Sequence, residues 1–258
     1  MTDFIRDYWE AQARKHGTSH EASWGDSLAI ALEIETISRH LADDEAVLDV
    51  GCGNGYSAFQ QLERRRLKKL VGVDFAASMI AAAGEARTAH GLDERVEFRQ
   101  GDVRKLAFPD ASFDAVYTTR VLINLPTWDE QMAGITECLR VARPGGKVIL
   151  SEAFWEPLAL LNALRALVGL APLVEHDFNR YLKKQRLEEF LTSRGLEFSV
   201  DEFSSVYYLG SRFLRELVTD PAAWTGYSNP INRIFYDIER EYSGGGFGIQ
   251  QAYVVRKR

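Results

Sequence analysis

Short apolar runs alternate with helically spaced apolar positions through the middle of the chain. "AVLDV" (46–50), "KKLVGVD" (68–74), "RVEFRQGD" (95–102), "FDAVYTT" (113–119) and "GKVILSE" (146–152) have the β-branched, apolar character of buried strands. Between them, apolar residues three or four apart predict helices through Phe59 and Leu62, from Met79 to Ala89, and from Trp128 to Val141. Strands separated by helices predict parallel βαβ units with right-handed crossovers, and hence a doubly wound α/β sheet.

The flanks follow other rhythms. Two helices precede the first strand, one with Phe4, Tyr8 and Trp9 on a shared face and one with Leu28, Leu32, Glu35 and Ile37 along it. After Glu152 an apolar helical stretch and a polar loop (153–182) come before a regular helix near 183–193 and a strand near 196–206. A second excursion (209–243) separates that strand from a final one in "FGIQQAYVVRK". Two long insertions at one end of a sheet predict a cap over a ligand crevice, within a single domain spanning 1–258 whose cofactor-binding core is 46–152.

Composition narrows the chemistry. With 46% hydrophobic residues in 258, the chain can bury a full core. A net charge of −6 argues against a polyanion partner, so no nucleic acid is expected. No basic segment leads into an apolar one at the N-terminus and no long apolar run follows, which predicts a cytoplasmic protein without membrane attachment, monomeric or homodimeric. Cys52 and Cys138 are the only cysteines, and they suggest neither a disulfide framework nor a metal site.

The chemistry-bearing stretch is "VLDVGCGNGYSA" (47–58), where Gly51, Gly53 and Gly55 follow a strand that ends in an acid and precede a helix. Such a turn lets backbone approach a ligand and points helix N-terminal amides at it, at the carboxyl ends of the strands. Asp74 ends the second strand, where a carboxylate can accept both hydroxyls of a ribose, and Asp102 with the Val103 amide ends the third, where an adenine can be read. The spacing excludes a dinucleotide fingerprint, because Tyr56 stands where its last glycine would be, and no Gly-Lys-Ser/Thr phosphate loop occurs. Asp49 would repel a pyrophosphate but suits a ligand carrying an ammonium and a sulfonium. S-adenosylmethionine meets every one of these conditions.

Here the chain resembles the class I S-adenosylmethionine-dependent methyltransferases over about 46–152. "VLDVGCGNG", "VGVDFAASMI", "GDVRKLAFPDASFDAVYTT" and "RPGGKVIL" are similar to that family's motifs in order. The resemblance implies a seven-stranded Rossmann-like sheet, mostly parallel, with one antiparallel strand inserted beside the fifth. It also implies that Gly51 and Gly53, with Cys52 between them, approach the amino-acid part of the cofactor and that Asp74 and Phe75 meet the ribose. Ala76 and Met79 would flank the sugar and adenine, and Asp102 and Val103 would read the adenine. Thr119 and Arg120 would lie near the methionine portion or the acceptor. In the leading helix, "DYWEAQARKHG" is similar to a segment whose aromatic residue, Tyr8 or Trp9, closes over the cofactor while Arg14 reaches its carboxylate.

Methyl transfer is an in-line displacement on an activated carbon, yielding S-adenosylhomocysteine, so the protein needs chiefly to position the acceptor. A hydroxyl acceptor profits from a base, for which His16, His20, His176 and Glu152 are candidates. The Asp/Asn-Pro-Pro-aromatic segment of nucleobase and glutamine amino methylation is absent, as is a Pro-Cys pair. The expected acceptor is therefore a hydroxyl or amine of a small molecule, such as a sugar or natural product. Phe154, Trp155, Phe178, Tyr181, Tyr207, Tyr208, Trp224 and Phe235 are available to line its pocket. An RNA or protein methyltransferase, a non-catalytic cofactor-binding subunit, and a nicotinamide-dependent dehydrogenase are the alternatives.

Overall fold

The computed structural model describes residues 3–92, 94–220, 227 and 229–258, so Trp224 lies outside the described residues. Its centre is a seven-stranded sheet in the order β3-β2-β1-β4-β5-β7-β6. The strands are β1 Ala46–Val50, β2 Lys69–Asp74, β3 Val96–Gln100, β4 Phe113–Thr119, β5 Ala142–Ala153, β6 Glu197–Asp201 and β7 Gln250–Arg256. The first five pair in parallel, while β7 runs antiparallel to both β5 and β6. Strand order reverses between β1 and β4, which opens a crevice at their carboxyl ends. In β1, Val47, Leu48, Asp49 and Val50 are all buried, as a central parallel strand covered on both faces requires.

Crossover helices α3 Tyr56–Arg64, α4 Ala77–Ala89 and α5 Trp128–Val141 join these strands where the apolar spacing predicts them. Two helices stand before β1: α1 Asp3–His16 and α2 Ser27–His40. Their faces differ from the sequence expectation. In α1 the buried positions are Ile5 and Ala13, whereas Phe4 is 62% exposed and meets the Phe178 ring edge-on. In α2 burial extends to Ala29, Ile30, Glu33 and Ile34 as well as Leu32 and Ile37, because the helix is wedged between the sheet and the second insertion. Glu35 does not pack apolar surface; it accepts a hydrogen bond from Tyr236.

The strand near 196–206 is shorter than its apolar pattern suggests. β6 stops at Asp201, and Ser205–Leu209 form a helix, α8. The Glu239 carboxylate accepts the Tyr207 amide at the start of α8, from a residue far along the chain. A wide π-type turn, Gly210–Leu214, carries α8 into α9 Arg215–Val218. The remaining helices are α6 Trp155–Leu167, α7 Lys184–Ser193 and α10 Ile231–Glu241. Among the described residues no helix is long and apolar enough to cross a membrane.

Candidate functional site

The glycine turn lies at the end of β1. Gly51 has φ +80° and Gly53 φ +53°, in the left-handed region that side chains disfavour. A Cβ on Gly51 would stand 2.6 Å from the Val121 Cβ, so this position tolerates no side chain. The turn is held by Asp74, whose carboxylate accepts the Gly53 amide at 2.8 Å and the Ala76 amide at 2.9 Å. Burial pushes the Asp74 pKa upward, against those same bonds. Asn54 ties the turn to the segment after α1, donating to the carbonyls of Gly17 (2.7 Å) and Ser19 (2.8 Å).

A cavity of about 780 Å³ opens over this turn, lined by Trp9, Asp49, Gly51, Gly53, Asn54 and Asp74, and by Met79, Thr119 and Arg120 farther round. Asp49 is fully buried, and its carboxylate has no close hydrogen-bond partner beyond the adjacent Tyr117 hydroxyl. Burial pushes its pKa up to about 7, with Asp74 and Glu33 adding to the rise and the nearby Tyr117 hydroxyl opposing it. A buried carboxylate with so little pairing, beside bare backbone, fits a ligand that brings a cation of its own. The ammonium-bearing end of S-adenosylmethionine meets that demand. Cys52 also lines this cavity, but burial drives its thiol pKa well above the ordinary value, so it is no nucleophile.

Comparison with known proteins agrees with the geometry. Residues 47–146 match a family described as "Methyltransferase domain". Over that stretch the chain carries a methyltransferase domain, and its motifs are similar to those of the class I S-adenosylmethionine-dependent methyltransferases. It is 29% identical over 145 residues to 27-O-demethylrifamycin SV methyltransferase of Amycolatopsis mediterranei, covering 54% of this chain and 52% of that one. It is 27% identical over 202 residues to ubiquinone biosynthesis O-methyltransferase of Hahella chejuensis, covering 76% and 78%. The chain thus spans about half the length of several of the curated relatives it matches. Among solved structures, the cyclase SpnF superposes with a TM-score of 0.59 at 22% identity, over 88% of this chain and 81% of that one, a likeness of fold.

Gly51, Cys52, Gly53, Asp49, Asp74, Phe75, Met79, Thr119 and Arg120 all border the first cavity. Asp102 and Val103 do not. The Asp102 carboxylate is held by the Arg104 guanidinium, and Val103 is buried in the core below β3. Arg14 is exposed on α1 and borders no described cavity. Of Tyr8 and Trp9, the two candidates on α1 for closing over the cofactor, Trp9 lines the first cavity and Tyr8 does not.

A second and larger cavity, about 1610 Å³, adjoins the first. Trp9, Ser23, Arg120 and Asn124 line both. Its far walls come from the two insertions: Leu158, Leu173, His176, Phe178 and Tyr181 from one, and Arg212 and Tyr227 from the other, with Tyr208 from α8 just before it. The other aromatics are elsewhere: Phe154 and Tyr207 are buried in the core, Phe235 packs against it, and Trp155 is 46% exposed.

The candidate bases separate in the same way. His16 and His176 border the second cavity; His20 borders neither and packs beside the Tyr56 ring. Glu152 also borders neither. Its carboxylate accepts the amides of Val121 and Leu122 at 3.2 Å and of Ile123 at 3.4 Å, fixing the turn after β4. Burial raises its pKa to about 7. Glu152 is a positioning group for the loop that carries Arg120 and Asn124.

Sequence reading missed several of these groups. Asn54 stood inside the quoted motif and could have been found there. Ser23, Trp24 and Asn124 carry no local signal, and Glu33, buried on α2, is recognisable only once Arg120 Nε is seen to reach it at 3.2 Å. Among the described residues no group of three His, Cys, Asp or Glu is placed to hold a metal ion.

Proposed function

We propose that this chain transfers a methyl group from S-adenosylmethionine to a hydroxyl or amine of a small molecule. The observation that carries this reading is the wall shared by the two cavities, through Trp9, Ser23, Arg120 and Asn124. A ligand in the larger cavity can meet a cofactor in the smaller one only across that wall, which restricts the approach toward a line. Aromatic and aliphatic walls on the acceptor side favour a small organic molecule, as does the likeness to the rifamycin and ubiquinone methyltransferases.

The cofactor supplies an electrophilic methyl, so no protein nucleophile is required. On the cofactor side Asp49 offers a buried carboxylate to the ammonium, and Asp74 keeps the glycine turn open while facing the same cavity. On the acceptor side Asn124 lines the junction, its side-chain amide fixed by donating to the Arg120 carbonyl at 2.8 Å. His16 and His176 are the proton acceptors available for a hydroxyl.

The test is calorimetry with S-adenosylmethionine, S-adenosylhomocysteine and NAD, with Asp74→Ala alongside. Micromolar binding of the first two, lost in the variant, is expected; binding of NAD alone, or of none, overturns the reading. Because a cyclase shares the fold, product mass completes the test: gain of one methylene is transfer, whereas unchanged mass is rearrangement.

A further inference from the structure

One wall of the larger cavity alternates cations and rings. Arg120 lies over the Trp24 ring at 5.2 Å, the Trp24 and Tyr227 rings meet edge to face at 5.8 Å, and Arg212 lies 4.6 Å over Tyr227. Trp24 Nε1 donates to the Tyr227 hydroxyl, closing the middle of this ladder. Tyr207 and Tyr208 flank Arg212 from other sides. Both guanidinium groups are therefore held in place before any ligand arrives.

Each arginine is also backed by a buried carboxylate that is not part of the cavity lining. Asp26, fully buried, pairs with Arg212 and accepts from the Tyr207 hydroxyl at 2.7 Å. Glu33, likewise buried, holds Arg120 Nε and accepts from Ser151 at 2.8 Å. Arg120 keeps both terminal amino groups without a hydrogen-bond partner among the described residues. Glu21 is the only acidic residue among those lining this cavity, and it is engaged by His16 at 3.3 Å. Asn124 and Gln250 also line this cavity, with their amide oxygens buried and without partners.

We infer that the acceptor is a planar, hydroxylated ring system carrying an acidic oxygen group, which Arg212 and Arg120 bind. The inference rests on the acceptor cavity of the proposed methyltransferase activity. Flat rings complement the aromatic walls, and the fixed guanidinium groups take an anion, which a neutral isostere cannot replace. In the reaction the hydroxyl oxygen contributes the electron pair of the new O–C bond, the C–S bonding pair stays on sulfur, and the hydroxyl proton passes to His16 or His176 on the cavity wall. Arg120, lining both cavities, stabilises negative charge on that oxygen.

The test uses one-, two- and three-ring hydroxyaromatic carboxylic acids, each paired with its carboxamide, titrated calorimetrically into the S-adenosylhomocysteine complex. At least one acid should bind about ten-fold or more tightly than its amide. That preference should vanish in Arg212→Gln and survive in part in Arg212→Lys. Because Arg212→Gln strands Asp26, the double variant Asp26→Asn/Arg212→Gln is measured too, with S-adenosylhomocysteine affinity and melting temperature reporting its fold. Equal binding of acid and amide, or no binding by any pair while S-adenosylhomocysteine still binds, overturns the inference alone. Failure of S-adenosylhomocysteine to bind overturns the underlying methyltransferase reading.

Discussion

The two cavities share a wall but are built by different means. The smaller is made largely of backbone: left-handed glycines, a carboxylate holding two amides, and strand ends brought together by the sheet. The larger is made of side chains from α1, the loop before α2, the turn after β4 and both insertions. Backbone construction leaves little room for change, since one added methyl at Gly51 meets Val121. Side-chain construction can be altered residue by residue while the sheet stays as it is, as a family with one cofactor and many acceptors requires.

The largest effect should come from the backbone-built side. Gly51→Ala imposes a strained φ and a clash, each worth about 1–3 kcal/mol, and should weaken S-adenosylhomocysteine binding by about 100-fold or more. Leu173→Ala, in the insertion wall, should leave that affinity within about two-fold, because it shares no contact with the turn. Calorimetry on both variants checks the contrast. Similar losses in the two would mean that the cavities are one coupled unit.

A smaller effect, about ten-fold, is expected from Asp49. Its free-state pKa is near 7, and a bound ammonium should lower it. Affinity is then full above that value and falls as pH drops through it, by about ten-fold between pH 8 and pH 6. Asp49→Asn should bind weakly with a flat profile. A wild-type profile flat across this range would remove Asp49 from contact with the cofactor's charge.

Legibility in the sequence followed the same division. The glycine turn, Asp74 and the βαβ order are local, each written within a few adjacent residues, and the sheet assembles as the alternation of strands and helices predicts. Long-range partners were unreadable. Nothing near Ser205 says that Glu239 will accept the amide of Tyr207 and turn the end of a predicted strand into a helix. That Arg104, two residues on, pairs with Asp102 is likewise visible only in the structure. His20 and His176 were equivalent in sequence, and only the path of the loops puts one beside the acceptor cavity and the other against Tyr56.

Helix α1 belongs to both constructions, and its attachment gives the smallest of these effects. α4 begins without a side-chain cap of its own, and Glu10 of α1 supplies one, accepting the amides of Ala77 at 2.7 Å and Ser78 at 3.0 Å and the Ser78 hydroxyl. Burial works against the Glu10 charge, but those hydrogen bonds outweigh it and hold the carboxyl below its ordinary value of 4.5. A depressed pKa means that the contribution is present above the unfolded-state value and is lost as pH falls through the folded-state value. Glu10→Gln should therefore lower stability by about 1 kcal/mol at neutral pH, the usual worth of such a cap, and the gap from wild type should close at low pH. Paired thermal melts at pH 7 and at a pH well below 4.5 measure it. Because Trp9 lies on the same helix and lines both cavities, cofactor and acceptor affinity should fall together in this variant, by a few-fold. Loss of one without the other would show that α1 is fixed by something other than Glu10.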